Sequence, residues 1–160
     1  MKKGSIIFLK IVICLIGILT LALMLWEPHL EGRNVNATVF EIYFKDPFLA
    51  YVYIGSIPFF FALYQAIKLL SYIDKNKIFS QHSVKAVRNI KYCGIALVIF
   101  IIGAEGYLFI FERGKDDITG AVMLGLIAIF ITSVVTTAAG VFQKLLQNAV
   151  DLKAENDLTV

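Results

Sequence analysis

Four long apolar runs constrain this chain more than anything else in it. They are Ser5–Trp26, Phe48–Leu70, Tyr92–Phe111 and Ile118–Leu146, each broken by a single charged residue: Lys10, Lys68, Glu105 and Lys144. A bilayer core about 30 Å thick takes about 20 apolar residues in a helix. Inside lipid a helix satisfies its own backbone polar groups. The expectation is therefore an all-α integral membrane four-helix bundle. Composition agrees: 59% of the 160 residues are apolar and 17% charged, against about 45–50% and about 25% in soluble domains. A soluble fold of this size leaves too much surface in water to hide that excess.

The first run follows Lys2 and Lys3, as a secretory signal would, but it exceeds the usual apolar stretch of about 7–15 residues. Trp26-Glu27-Pro28 offers no small-residue cleavage pattern, so it reads as a retained span. The organisation expected is one four-span domain, residues 1–147, with a polar tail at 148–160. Its spans are about 5–26, 48–70, 92–111 and 118–146, with an outer loop at 27–47 and a cytoplasmic loop at 71–91. Within the outer loop, Val39–Phe44 reads as a short strand or an interfacial element.

Orientation follows from charge. Between the spans, one pair of loops holds only Arg33, Lys45, Arg113 and Lys115 against seven acids: Glu27, Glu31, Glu41, Asp46, Glu112, Asp116 and Asp117. The remaining Lys and Arg gather at the N-terminus, the central loop and the tail. Cytoplasmic loops carry the Lys/Arg excess, so both termini and the central loop are expected in the cytoplasm. Trp26, Tyr43, Phe44 and Tyr51 then fall at the outer interface, where aromatic side chains concentrate.

Glu105 is the residue most in need of explanation. A carboxylate at membrane depth costs about 2.5–3.5 kcal/mol on insertion scales, so such groups face the bundle and have a partner. Its functional reading is a proton, cation or cationic-ligand site; its structural reading is a packed, hydrogen-bonded carboxyl. Thr132, Ser133, Thr136 and Thr137 of the fourth run supply hydroxyls at helical spacing, beside Ala138-Ala139-Gly140, and hydroxyl and small residues suit close helix packing. In an antiparallel pair these four lie towards the opposite end from Glu105, and Thr119 and Gly120 are nearer its height. Together the five residues form a candidate intramembrane polar site. Gly55-Ser56-Ile57-Pro58 predicts a kink in the second span.

The central loop carries the second candidate site. Ser80 is a suitable N-cap, after which Val84, Val87 and Ile90 share a stripe and Lys85 and Arg88 lie off it. That pattern is an amphipathic helix running into the third span. Lys75, Lys77, Lys85, Arg88 and Lys91 form a basic surface for anionic lipid headgroups or an acidic protein partner.

Ile78-Phe79-Ser80 followed by the basic helix, and the closing Glu155-Asn156-Asp157-Leu158-Thr159-Val160, resemble a family of small bacterial four-span membrane proteins of unknown function, the YoaS-like proteins. The resemblance covers nearly the whole chain. It implies a bacterial cytoplasmic-membrane location and a regulatory partner on the cytoplasmic side, a small helix-turn-helix protein. The family has no established catalytic residues to carry over.

Enzyme function is not expected. Cys14 and Cys93 stand apart in apolar runs, with no CxxC or zinc-ligand spacing, and no HExxH, nucleophile elbow or phosphate-binding glycine loop is present. No cofactor is expected. A net charge of +3 gives no basis for direct nucleic-acid binding. The main expectation is a non-enzymatic regulatory or envelope-sensing interaction protein. The alternatives are a small homo-oligomeric transporter or ion-coupled exporter using Glu105, and an immunity protein against a membrane-active peptide.

Overall fold

The structure, a computed structural model of the protein, describes residues 3–30, 38, 40, 47–112 and 118–158. The described residues are helical almost throughout. The helices are α1 (Lys3–Leu30), α2 (Pro47–Asp74), α3 (Gln81–Tyr107) and α4 (Thr119–Leu158), and α3 ends in a π-helical turn, Leu108–Glu112. Each of the four is long and apolar enough to cross a membrane. Most of Val39–Phe44 lies outside the described residues.

Large apolar side chains stand exposed along all four helices, among them Ile18, Ile57, Ile99 and Phe130. Such a surface needs lipid around it, since soluble monomers rarely expose apolar patches beyond a few hundred Å².

The helices pack in chain order: α1 on α2, α2 on α3 and α3 on α4. A closed bundle would also set α1 against α4, and among the described residues these two make marginal contact at most. Glycines set the close approaches. Gly17 meets Leu63, Gly55 meets Phe100, and Gly94 meets Thr136 so tightly that a Cβ at Gly94 would overlap the Thr136 hydroxyl. Tyrosines tie the helices across these seams. The Tyr53 hydroxyl donates to the Met24 carbonyl (2.8 Å) and the Tyr51 hydroxyl to the Phe100 carbonyl (2.9 Å). The helix of the second span continues through Pro58.

The best-buried part of the molecule lies at the end that carries the α2–α3 turn. Val84, Val87 and Leu146 form its centre, with Leu69, Ile78, Ala139 and Val150 packed around them. Here α4 matters, because its 40 residues make a rod about 60 Å long at 1.5 Å per residue. That is about twice the hydrocarbon thickness. Residues 148–158, expected as a tail, continue the α4 helix.

Candidate functional site

Glu105 lies on the face of α3 that meets α4, and its carboxylate rests against the backbone of Gly125, where a Cβ would overlap it. Only a glycine admits the carboxylate so close. Oε2 is buried and has no hydrogen-bond partner. Three residues further on, α3 passes into the π-helical turn, and the Leu108 amide is shared between the Ala104 and Glu105 carbonyls.

The hydroxyl residues do not join Glu105. Thr136 faces Gly94, eleven residues or about 16 Å along α3 from Glu105. Its hydroxyl donates back to the Thr132 carbonyl (2.6 Å), and that of Thr137 to the Ser133 carbonyl (2.8 Å). Thr136 belongs to the α3–α4 packing seam, Thr137 is exposed, and both donate their hydroxyls within α4. Sequence reasoning passed over Gly125, since only the register between the two helices brings it to the carboxylate. The same seam holds a second orphan, the buried Gln143 Oε1.

At the other end, the turn between α2 and α3 is built by local hydrogen bonds. Asn76 adopts φ 54°, the left-handed conformation that commonly ends a helix and that Asn tolerates after Gly. Asn76 N–H donates to the Ile73 carbonyl (3.1 Å) and Lys77 N–H to the Tyr72 carbonyl (2.8 Å), the pair of bonds that defines a Schellman cap. Ser80 then caps α3 by accepting from the Ser83 N–H, as expected. The Lys77 carbonyl accepts from both the Ser80 and Ser83 hydroxyls, at 2.7 and 3.1 Å, and Ser83 is fully buried.

The apolar stripe of the amphipathic segment is thereby consumed internally: Val84 and Val87 face Leu146 of α4. Its basic residues divide into two groups. Lys75, Lys77, Lys85 and Arg88 are exposed on this packed head. Lys91 is half-buried, its stem beside Gly140 and its amine 4.8 Å from the centre of the Tyr92 ring.

Two depressions lie between α2 and α3. One, of about 250 Å³, is aromatic, bounded by Phe48, Tyr51 and Tyr107 at the end away from the turn. There the Phe48 and Tyr107 rings stack at 5.0 Å. The other, of about 330 Å³, is an apolar groove lined by Pro58 and Phe61 of α2 and by Asn89, Tyr92, Cys93 and Ala96 of α3. The two cysteines are free thiols.

A family model described as DUF2975, a protein of unknown function, matches residues 35–160. The chain belongs to the DUF2975 family. It is similar, at 47% identity over 162 aligned residues spanning all of both chains, to the uncharacterized membrane protein YoaS of Bacillus subtilis (strain 168). The YoaS-like resemblance seen in the central loop and the closing residues is therefore carried by the full length. With four membrane-capable helices, this DUF2975 chain is a multi-pass membrane protein. No solved structure gives a significant match.

Proposed function

We propose that the protein is a non-enzymatic interaction protein of the bacterial cytoplasmic membrane, regulatory or envelope-sensing, with both termini and the α2–α3 turn in the cytoplasm. Its docking surface is the packed head, and its partner is an acidic cytoplasmic protein. The observation that carries this reading is the burial of Val84 and Val87 against Leu146. The amphipathic segment has no free apolar face to lay into lipid, so its exposed Lys75, Lys77, Lys85 and Arg88 stand on a rigid frame. A fixed array of cations suits recognition of a complementary surface, which sets specificity and on-rate and weakens with salt.

Crosslinked capture from native membranes tests it, comparing wild type with the Lys75/Lys77/Lys85/Arg88 alanine variant. The expected result is a protein captured by wild type alone, whose binding to the purified chain in nanodiscs falls as salt rises. Identical captures from both would overturn the reading.

A second reading has one observation in its favour, the buried and unpartnered Oε2 of Glu105. On that reading the chain forms a homo-oligomeric, ion-coupled transporter with Glu105 in its path. Glu105→Gln keeps the shape and removes the charge. Ion or drug flux in liposomes unchanged by it would dispose of this reading.

A further inference from the structure

We propose that the protein is a parallel homodimer, joined along α4 by a seam that runs from Leu124 to Leu152 and extends past the membrane. The argument begins with two leucines. Among the described residues beyond Lys144, the large apolar side chains left exposed are Leu145 (61%) and Leu152 (66%). From Thr119 a hydrocarbon core is crossed in about 20 residues, which ends close to Gly140, and the stem of Lys91 lies beside Gly140. Leu152 follows Gly140 by twelve residues, about 18 Å of helix. Leu145 therefore sits at the edge of the bilayer and Leu152 beyond it.

The head does not cover this face either. Two places along a helix of 3.6 residues per turn is about 200° around it. Thr136 meets Gly94 of α3, and Leu146 and Val150 pack in the cluster with Val84 and Val87. Ala138, Asn148 and Leu152 stand two places on from these three, so they face away from α3, and all are exposed.

Spacing then selects the occupant. Leu145 and Leu152 stand one heptad apart with Asn148 between them. The same alternation of three and four residues runs back through Val141, Ala138, Val134 and Ile131 to Leu124, all exposed. That is four heptads, the length over which such a repeat points to a coiled coil. Copies inserted in one membrane share its orientation. Two α4 helices therefore meet in parallel, and each seam residue faces its own copy across a two-fold axis. An amide both donates and accepts, so Asn148 bonds its copy there. On the flanks, parallel pairing sets Lys144 by the second copy's Ala149 and Asp151 by the second copy's Asn156, so no like charges meet. Glu155 takes the next place and ends the seam, because two carboxylates there repel. Lipid covers most of this face in a monomer, but not its last two turns. The dimer needs neither the docking surface nor a role for Glu105, so it stands or falls by itself.

The test is cysteine crosslinking in isolated membranes with a mild oxidant, in the Cys14→Ala chain because Cys14 is exposed. Leu152→Cys is expected to give a band at twice the mass of the chain. Ala154→Cys, on the opposite side of the helix, should give almost none, since its Cα lies beyond the reach of about 7 Å that a disulfide allows. Adding Leu145→Glu to the Leu152→Cys chain should weaken dimerisation about a hundredfold, as two leucines leave the seam. The readout is the protein-to-lipid ratio in liposomes at which half of the chain is crosslinked. Coexpressed Leu145→Lys copies should restore the band, which a misfolded chain would not allow. A Leu152→Cys chain that stays monomeric in the membrane overturns the proposal, as does equal crosslinking at positions 152 and 154. A Leu152→Cys band at any other mass overturns it too, by showing that a different protein covers the face.

Discussion

At the scale of single residues, the contact between Glu105 and Gly125 makes the sharpest claim. Because a Cβ at position 125 would overlap the carboxylate, Gly125→Ala is expected to destabilise the α3–α4 pair by about 1–3 kcal/mol, the usual effect of overpacking. Glu105→Ala in the same chain removes the obstacle, so the double variant should be more stable than Gly125→Ala alone. Thermal unfolding in detergent of the wild type, both single variants and the double variant measures that coupling, expected at about 0.5–3 kcal/mol. Strict additivity would mean the two residues do not touch. Glu105 itself was legible in the sequence, because one acid in an apolar run is conspicuous. Its neighbour was not. Chemistry directed attention to the hydroxyls of Thr132, Ser133, Thr136 and Thr137, but those of Thr136 and Thr137 donate within α4, and Thr136 faces Gly94, well away from Glu105. What opposes Glu105 depends on the register of two helices across a turn, which hydropathy does not encode.

Among the elements, the α2–α3 turn is where local sequence and tertiary packing agree most closely. The Ser80 cap and the stripe of Val84 and Val87 follow from residue type and helical spacing, and the structure has both. The Schellman cap at Asn76 passed unread, because the Asp74–Lys77 segment looks like an ordinary charged loop. It gives two opposite predictions at one position. Asn76→Gly should be neutral or slightly stabilising, since Gly adopts positive φ freely. Asn76→Val should cost about 1–2 kcal/mol, the penalty of a left-handed conformation for an L-residue with a bulky Cβ. Chemical denaturation in mild detergent, followed by circular dichroism, orders the three proteins, and the reverse order would refute the cap. Ser80→Ala belongs to the same element. It removes the cap and one of the two hydroxyls on the Lys77 carbonyl, so a loss of about 1 kcal/mol is expected, read by the same unfolding curve.

For the whole molecule, the four spans were legible because lipid imposes a length and a hydrophobicity that few other contexts share. The way they pack was not, since any of the apolar faces could meet any other. Among the described residues each helix packs on the next one along the chain, with a glycine at each contact, and α4 is about twice as long as the hydrocarbon core is thick. Leu146 and Val150 of α4 complete the cluster around Val84 and Val87, so the far end of this helix holds the head together as well as ending the chain. Removing residues 146–160 should therefore expose Val84 and Val87 and speed amide hydrogen exchange across residues 81–90 by orders of magnitude. Removing only 157–160 should leave that exchange unchanged, because the cluster lies wholly before it. The same measurement bears on function. If the truncated chain still inserts, with α1 and α2 protected from exchange, yet captures no acidic partner, the head binds through its fixed shape. If exchange across 81–90 does not change, α4 is a passive rod, and the rigid frame on which the docking proposal stands is lost.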